Sequence, residues 1–160
     1  MIKILFLHGL FSNGNQSIKA HVIKALGYKV YAPNLSNWWF NSAFKTAKQA
    51  VEEFEPDAIV GSSRGGAIAM QLESDKPLIL LAPAWKHYKV NTKITTPCRV
   101  IHSLNDDMVP FEDSIELVHK NPEIELIPVE SDHRLNSLKA QMALDDALFE
   151  LVDEKITQLA

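Results

Sequence analysis

Near its middle the chain reads AIVGSSRGGAIAMQL over residues 58–72. The stretch opens with a short apolar run, which is typical of a buried strand. Gly61, Gly65 and Gly66 follow, and such small residues allow a sharp turn and a close approach of the next helix. The residues from Gly65 to Leu72 then have the composition of a short helix. The stretch therefore predicts a strand, a tight turn and a helix, the unit from which α/β folds are built.

Strand-like and helix-like segments alternate on both sides of this unit. We expect six strands, at Ile2–Leu7, Lys29–Ala32, Ala58–Gly61, Leu78–Leu81, Arg99–His102 and Glu125–Val129. Apolar residues at helical spacing indicate helices at 18–26, 44–54, Gly65–Leu72, Phe111–His119 and Leu138–Leu159. Because crossovers between parallel strands are right-handed, these segments predict a doubly wound, mostly parallel six-stranded sheet with helices on both faces. In such a sheet, ligands bind beyond the carboxyl ends of the strands.

The composition predicts one domain spanning residues 1–160 and excludes some partners. The chain carries 16 Lys and Arg against 20 Asp and Glu, a net charge of −4, and neither sign forms a long block. This balance argues against nucleic acid or an anionic membrane as a partner. A lone Cys98 in an apolar run favours a structural thiol in a reducing compartment. The apolar N-terminal segment is too short for a signal peptide or a membrane span, so we expect a cytoplasmic protein.

The turn after the third strand matches the pattern G-x-S-x-G, with Ser63 between Gly61 and Gly65. A serine on a sharp strand-to-helix turn has strained backbone angles, and the residues two before and two after it must be small. The motif indicates a nucleophilic serine. One alternative is a Gly/Ser turn that caps a helix. Phosphate binding is another, although the loop lacks both the G-x-x-x-x-G-K-[ST] and the G-x-G-x-x-G patterns.

A serine nucleophile needs a histidine base. Four histidines follow Ser63, namely His87, His102, His119 and His133. His119 belongs to a helix stripe, His87 to a polar connection, and His102 to the end of a strand. His133 directly follows the last strand, on the loop before the terminal helix, and we predict it as the base.

The base in turn needs an orienting acid after an intermediate strand. Asp106 and Asp107 both follow the fifth strand, and the residues themselves leave either possible. Both aspartates could instead cap a helix or solvate the loop. A metal cluster of His102, these aspartates, Asp132 and His133 is a weak alternative, because the spacing matches no metal motif.

These motifs resemble the α/β-hydrolase superfamily over essentially the whole chain, and most of all its small, cytoplasmic, lidless serine hydrolases of the esterase type. His8-Gly9-Leu10 is similar to the H-G-x oxyanion loop. The segment 102–110 is similar to the acid loop H-G-x-x-D-x-x-V-P, with Ser103 where glycine is usual, and Asp132-His133 is similar to the base loop.

The resemblance implies Ser63 as nucleophile, His133 as general base and Asp106 as acid, since Asp106 falls four residues after His102. The backbone N–H groups of Leu10 and Arg64 would form the oxyanion hole. No metal and no organic cofactor is implied. Only about fifteen residues, at 83–97, separate the fourth and fifth strands, so we expect no lid.

Aromatic and other side chains at the strand ends are candidates to line a substrate pocket. We predict six substrate-binding residues: His8, Phe11, Trp38, Trp39, Trp85 and Met108. Trp38, Trp39 and Phe40 could instead fix the next helix to the core, or mark a partner surface if they face water. The Arg64 side chain could bind a substrate carboxylate or phosphate, or simply be solvated.

The sequence therefore predicts a carboxylesterase-like serine hydrolase of small or medium acyl substrates, working through an acyl-enzyme. A thioesterase, peptidase or acyltransferase remains possible, because the fold does not choose among them. A noncatalytic binding protein that uses the Trp38–Phe40 surface is the alternative from another class. We expect a monomer or a homodimer.

Overall fold

A computed structural model describes residues 1–153 and residue 159. It contains six strands: β1 (Lys3–Leu7), β2 (Lys29–Tyr31), β3 (Ala58–Ser62), β4 (Leu78–Leu81), β5 (Cys98–Ser103) and β6 (Glu125–Val129). All neighbouring pairs are parallel, and the order across the sheet is β2-β1-β3-β4-β5-β6. The predicted six-stranded, doubly wound sheet is confirmed, with every strand pair parallel. Its order reverses between β1 and β3, which places a crevice at the carboxyl ends of those two strands.

Within residues 1–153, five α-helices connect and cover the strands: α1 (Ile18–Ala25), α2 (Phe40–Phe54), α3 (Arg64–Gln71), α4 (Phe111–Lys120) and α5 (Leu138–Leu148). One π-helical turn, Phe149–Asp153, follows α5. Helix α2 begins four residues earlier than the apolar spacing predicts. Phe40 and Ala43 already pack in its first turn, and Trp39 takes extended backbone angles at the N-cap.

Alternate residues of the strands pack into two apolar layers, one on each face of the sheet. In β1, Ile4 and Phe6 belong to the layer under α1 and α5. Leu5 and Leu7 belong to the opposite layer, under α2, α3 and α4. These four side chains are at most 1% exposed. A strand buried on both faces has a continuous apolar run, which is why the pattern of the sequence revealed it.

The terminal helix packs its apolar stripe on the sheet. Leu144, Leu148, Leu151 and Val152 are buried in the layer that α5 covers. Ser137 caps the helix, since its hydroxyl accepts a hydrogen bond from the Ala140 N–H at 3.2 Å. The predicted extension to Leu159 falls largely on residues 154–158, which lie outside the described residues.

The connections at the carboxyl edge of the sheet are short. Residues 82–97, between β4 and β5, contain only turns and irregular backbone, with no helix that could form a lid. Within the part of the chain that the structure describes, no helix has the length and apolar character needed to cross a membrane.

Candidate active site

Ser63 sits at the carboxyl end of β3, on the sharp turn into α3. Its backbone angles are φ 55° and ψ −114°, a strained conformation for a residue with a side chain. Neighbouring glycines make the turn possible. A Cβ at Gly65 would lie 2.0 Å from the Leu7 carbonyl oxygen, and one at Gly61 would lie 2.5 Å from the Gly65 carbonyl oxygen. The G-x-S-x-G spacing thus reflects backbone contacts that leave no room for a methyl group.

A hydrogen-bonded chain joins the serine to a histidine and an aspartate. The Ser63 Oγ lies 3.1 Å from His133 Nε2, and His133 Nδ1 lies 2.7 Å from Asp106 Oδ2. Because an ionised carboxylate only accepts hydrogen bonds, Nδ1 carries the proton and Nε2 is free to accept the serine hydroxyl. The arrangement is that of a nucleophile, a base and an orienting acid.

The two candidate acids differ in burial and in their contacts. The Asp106 side chain is fully buried, and its other oxygen accepts hydrogen bonds from the N–H groups of Met108 at 2.9 Å and Val109 at 2.8 Å. Burial alone would raise the pKa of Asp106, but hydrogen bonds from His133, Val109 and Met108 together hold that pKa below its usual value. Asp107 is exposed, and Asp106 is the aspartate that contacts His133.

A second buried histidine, His102, also holds Asp106. Its Nε2 lies 3.1 Å from Asp106 Oδ2 and 3.0 Å from the Val109 carbonyl oxygen. Since both partners accept, Nε2 carries the proton, and Nδ1 accepts from the Ser114 hydroxyl at 2.7 Å. Burial lowers the pKa of His102, which favours this neutral form. The sequence showed His102 at a strand end, but nothing in it indicated Ser114, which reaches the histidine from α4.

Ser103, which replaces the usual glycine of the acid loop, ties the two loops of the site together. Its hydroxyl donates to the Ser131 carbonyl oxygen and accepts from the Asn105 N–H. The acid loop and the loop that carries His133 are therefore linked directly, in addition to the contact between Asp106 and His133.

The backbone donors predicted for an oxyanion hole face no acceptor. Within the described residues, the N–H groups of Leu10 and Arg64 make no hydrogen bond. His8 fixes the first of these loops from below. Its side chain is 1% exposed, and its two ring nitrogens lie 2.7 Å from the Gly9 carbonyl oxygen and 2.8 Å from the Leu35 nitrogen. Burial lowers the pKa of His8, so the neutral ring suits both contacts.

A cavity of about 450 Å³ opens beside Ser63. Leu10, Phe11 and Met108 line its apolar part, and these side chains are 41%, 74% and 73% exposed. The remaining wall comes mainly from the loop between β1 and α1, the first turn of α1 and the loop that carries His133. Its polar side chains are Ser12, Gln16, Ser17, Lys19, Arg134 and Asn136.

The structure brings three of the six predicted substrate-binding side chains to this cavity, namely His8, Phe11 and Met108. Trp38 and Trp39 lie outside its lining and face solvent, 79% and 72% exposed, although Trp38 makes an edge contact with Phe11. Trp85 is 5% exposed within the core, where its indole N–H donates to the Asp113 carbonyl oxygen at 3.0 Å. Burial of the ring, with its N–H satisfied there, keeps Trp85 away from the cavity.

Two further side chains considered in the sequence, Arg64 and Cys98, are buried. Arg64 is 2% exposed, and within the described residues its Nε and Nη2 atoms have no hydrogen-bond partner. Burial lowers the pKa of Arg64, and the nearby Tyr88 has the opposite influence. Cys98 is buried, and burial raises the pKa of its thiol to about 12, consistent with a structural role. Among the described residues, no group of His, Cys, Asp and Glu side chains has the arrangement of a metal site.

Solved structures resemble this fold over nearly its whole length. Alpha/beta hydrolase domain-containing protein 10 from mouse superposes with a TM-score of 0.78 at 17% identity, covering 99% of this chain and 90% of the mouse chain. A monoacylglycerol lipase from Paleococcus ferrophilus gives 0.75 at 14% identity, with 92% of both chains covered. A serine hydrolase from Cycloclasticus zankles gives 0.76 at 14% identity, with 94% and 90% covered. No protein-family model and no curated protein matches the sequence.

At these identities the likeness concerns the fold. The chain has the α/β-hydrolase fold, which confirms the architecture that the motifs indicated. The activity rests on the residues of the site.

Proposed function

We propose that the protein is a serine hydrolase that cleaves ester-type bonds of small or medium acyl substrates. The observation that carries this proposal is the hydrogen-bonded chain from the Ser63 hydroxyl through His133 to the buried Asp106 carboxylate. Such a chain activates a serine, which is otherwise a weak nucleophile at neutral pH.

In the first step His133 Nε2 takes the proton of Ser63 while Oγ attacks the carbonyl carbon. The developing oxyanion accepts hydrogen bonds from the N–H groups of Leu10 and Arg64. Removing one such donor typically costs about 10²–10³ in rate. The protonated His133 then gives its proton to the leaving alcohol, and Asp106 stabilises the charged imidazole throughout.

In the second step water replaces the alcohol. His133 takes a proton from water, the resulting oxygen attacks the acyl-enzyme, and the bond to Ser63 Oγ breaks as the serine regains its proton. The carboxylic acid leaves, and the enzyme returns to its starting state. All proton transfers in this cycle involve His133, so no further acid or base is required.

The shape of the site favours small or medium acyl groups. The cavity of about 450 Å³ is open at its mouth, and residues 82–97 provide no lid to enclose a long chain. The same groups would serve a thioesterase, a peptidase or an acyltransferase, and the choice among these depends on the leaving group.

A fluorophosphonate probe tests the proposal, because it forms a covalent bond with an activated serine Oγ and releases fluoride. We expect intact mass and peptide mapping to place the label on Ser63. Hydrolysis of p-nitrophenyl esters should show a preference for short or medium acyl chains, and Ser63→Ala should abolish both labelling and turnover. Ser42→Ala, which alters an exposed serine on α2, is the matched control and should behave as the unmodified protein.

A second candidate function follows from the exposed indoles of Trp38 and Trp39. Large apolar side chains that face water mark interaction surfaces. Well-folded protein that neither reacts with the probe nor hydrolyses any ester would contradict the hydrolase proposal. It would favour a noncatalytic protein that binds a partner through the Trp38–Phe40 surface.

A further inference from the structure

The charged side chains that line the cavity, Lys19 and Arg134, are both basic. The described lining contains neither Asp nor Glu. Over the whole chain, by contrast, acidic residues outnumber basic ones by 20 to 16. The lining of the cavity is thus basic in a chain of net negative charge, and Asp132 is a nearby carboxylate that acts on Lys19.

Lys19 and Arg134 come from different elements and meet at the wall of the cavity. Lys19 is in the first turn of α1, and its ammonium donates a hydrogen bond to the Arg134 carbonyl oxygen. This contact uses one of three N–H donors, so two are left for a ligand. The Arg134 guanidinium is exposed and, within the described residues, forms no ion pair or hydrogen bond. Lys19 and Arg134 therefore both line the cavity, and each keeps N–H donors that no described residue uses.

Most apolar side chains of the cavity lie away from these two cations, although Ile18 adjoins Lys19 on α1. Leu10 and Phe11 follow β1, and Met108 follows β5. A ligand of this cavity would have an apolar part and a negatively charged end. The first turn of α1 adds to the attraction, because the positive end of a helix dipole favours anions.

We propose that the substrates of this site are esters whose acyl chain ends in a carboxylate, held by Lys19 and Arg134 while the ester carbonyl lies at Ser63. This inference rests on the proposed function and names its substrate class. Hydrogen bonds between charged groups are stronger than those between neutral ones and discriminate against ligands that lack the charge. We expect a preference of at least about tenfold in kcat/KM for the carboxylate-bearing ester.

Two esters of matched length test the proposal. Mono-p-nitrophenyl glutarate ends in a carboxylate, and p-nitrophenyl pentanoate ends in a methyl group on the same number of carbon atoms. After subtraction of spontaneous hydrolysis, the ratio of their kcat/KM values should be at least about ten. Lys19→Met and Arg134→Ala should each bring this ratio towards one. Lys24→Met, which removes an exposed lysine of α1 outside the cavity, should leave the ratio unchanged. Equal rates for the two esters, or a ratio that Lys19→Met does not alter, would overturn the proposal.

A binding measurement tests this inference independently of the proposed function. Calorimetry with glutarate and Ser63→Ala measures anion binding without turnover, and Ser63→Ala/Lys19→Met is the matched control. Lys19-dependent binding in a protein that hydrolyses neither ester would retain the anion site and reject the hydrolase. Absence of both binding and turnover would reject both.

The pH dependence offers a second readout. Burial lowers the pKa of Lys19 to about 8. The charge of Asp132 acts to raise this pKa, and the charge of Arg134 acts to lower it. The other titratable side chains at the cavity are His8 and His133. Between pH 7 and pH 9 Lys19 loses its proton, so the glutarate preference should fall over this range. Arg134 keeps its charge, so a residual preference should remain.

Discussion

The Asp106 carboxylate accepts hydrogen bonds from four groups of the site. His133 and His102 both contact its Oδ2 atom, and the Met108 and Val109 N–H groups both donate to its Oδ1 atom. Four donors fix the carboxylate and keep it ionised, so it can hold one tautomer of His133. The glycine spacing predicts Ser63 as nucleophile, and the position after the last strand predicts His133 as base. The sequence could not separate Asp106 from Asp107 without the resemblance, because only the loop conformation shows which carboxylate turns inward.

Asp106→Asn and Asp107→Asn form a matched pair that tests this assignment. An asparagine at 106 favours the wrong tautomer of His133, and such a change lowers kcat by about 10⁴ in other triad enzymes. We expect a loss of this order for Asp106→Asn with a p-nitrophenyl ester. Asp107 is exposed, so Asp107→Asn should stay within about twofold of the unmodified protein. A large loss in Asp107→Asn with little effect of Asp106→Asn would reverse the assignment.

The turn between β3 and α3 is the element on which the site depends. Apolar runs made several of the six strands predictable, and the glycine spacing made this turn predictable as well. Element ends were harder to place. Phe40 starts α2 four residues before the predicted position, because it stacks on Tyr88 at a centroid distance of 4.9 Å, a contact between distant parts of the chain. Local spacing does not contain that information.

Gly65→Ala tests the close approach of helix and strand. The new methyl group would overlap the Leu7 carbonyl oxygen, at 2.0 Å, and backbone cannot move aside as a flexible side chain can. Overpacking typically costs about 1–3 kcal/mol, and we expect at least the upper end of that range. Urea unfolding followed by circular dichroism measures the loss, and failure to fold would be its extreme form.

Gly9→Ala is the control for this substitution. A Cβ at Gly9 would have its nearest contact at 3.4 Å, an ordinary van der Waals distance to the Ser63 side chain. Its free energy of unfolding should stay within about 1 kcal/mol of the unmodified protein. Similar losses in both variants would show that the contact with Leu7 is not the cause.

Across the whole molecule, two buried neutral histidines support the loops at the carboxyl edge of the sheet. His8 holds the loop after β1, and His102 holds the loop after β5. The doubly wound parallel sheet was predictable because crossovers between parallel strands are right-handed. The packing of the loops was not. Trp85 packs in the core, whereas Lys19 and Arg134 line the cavity. Long-range contacts decide which loop residues turn inward.

The two histidines predict an acid-sensitive fold. Burial lowers the pKa of both His8 and His102 below the ordinary value of 6.5, so the unfolded chain takes up protons first as the pH falls. The free energy of unfolding should therefore decrease from pH 7 to pH 5, by up to about 1.4 kcal/mol per pH unit for each histidine. The lowered pKa of Asp106 acts in a separate range, below its usual 3.8. Urea unfolding at half-unit pH intervals measures the slope.

His102→Gln should flatten this slope, since it removes one of the two groups. His21→Gln alters an exposed histidine on α1 and is the control, which should keep the slope. A stability that is constant between pH 7 and pH 5 in the unmodified protein would contradict the prediction.

The absence of a helix in residues 82–97 also affects how long an acylated Ser63 would survive. Leu10, Phe11 and Met108 remain partly in water at the mouth of the cavity. Small alcohols added to the solvent would then reach the acyl group by the same path as water. The ratio of new ester to free acid among the products should rise in proportion to the alcohol concentration and should not reach a plateau. For the proposed hydrolase, an open mouth would thus make the balance between hydrolysis and transesterification depend on the composition of the solvent.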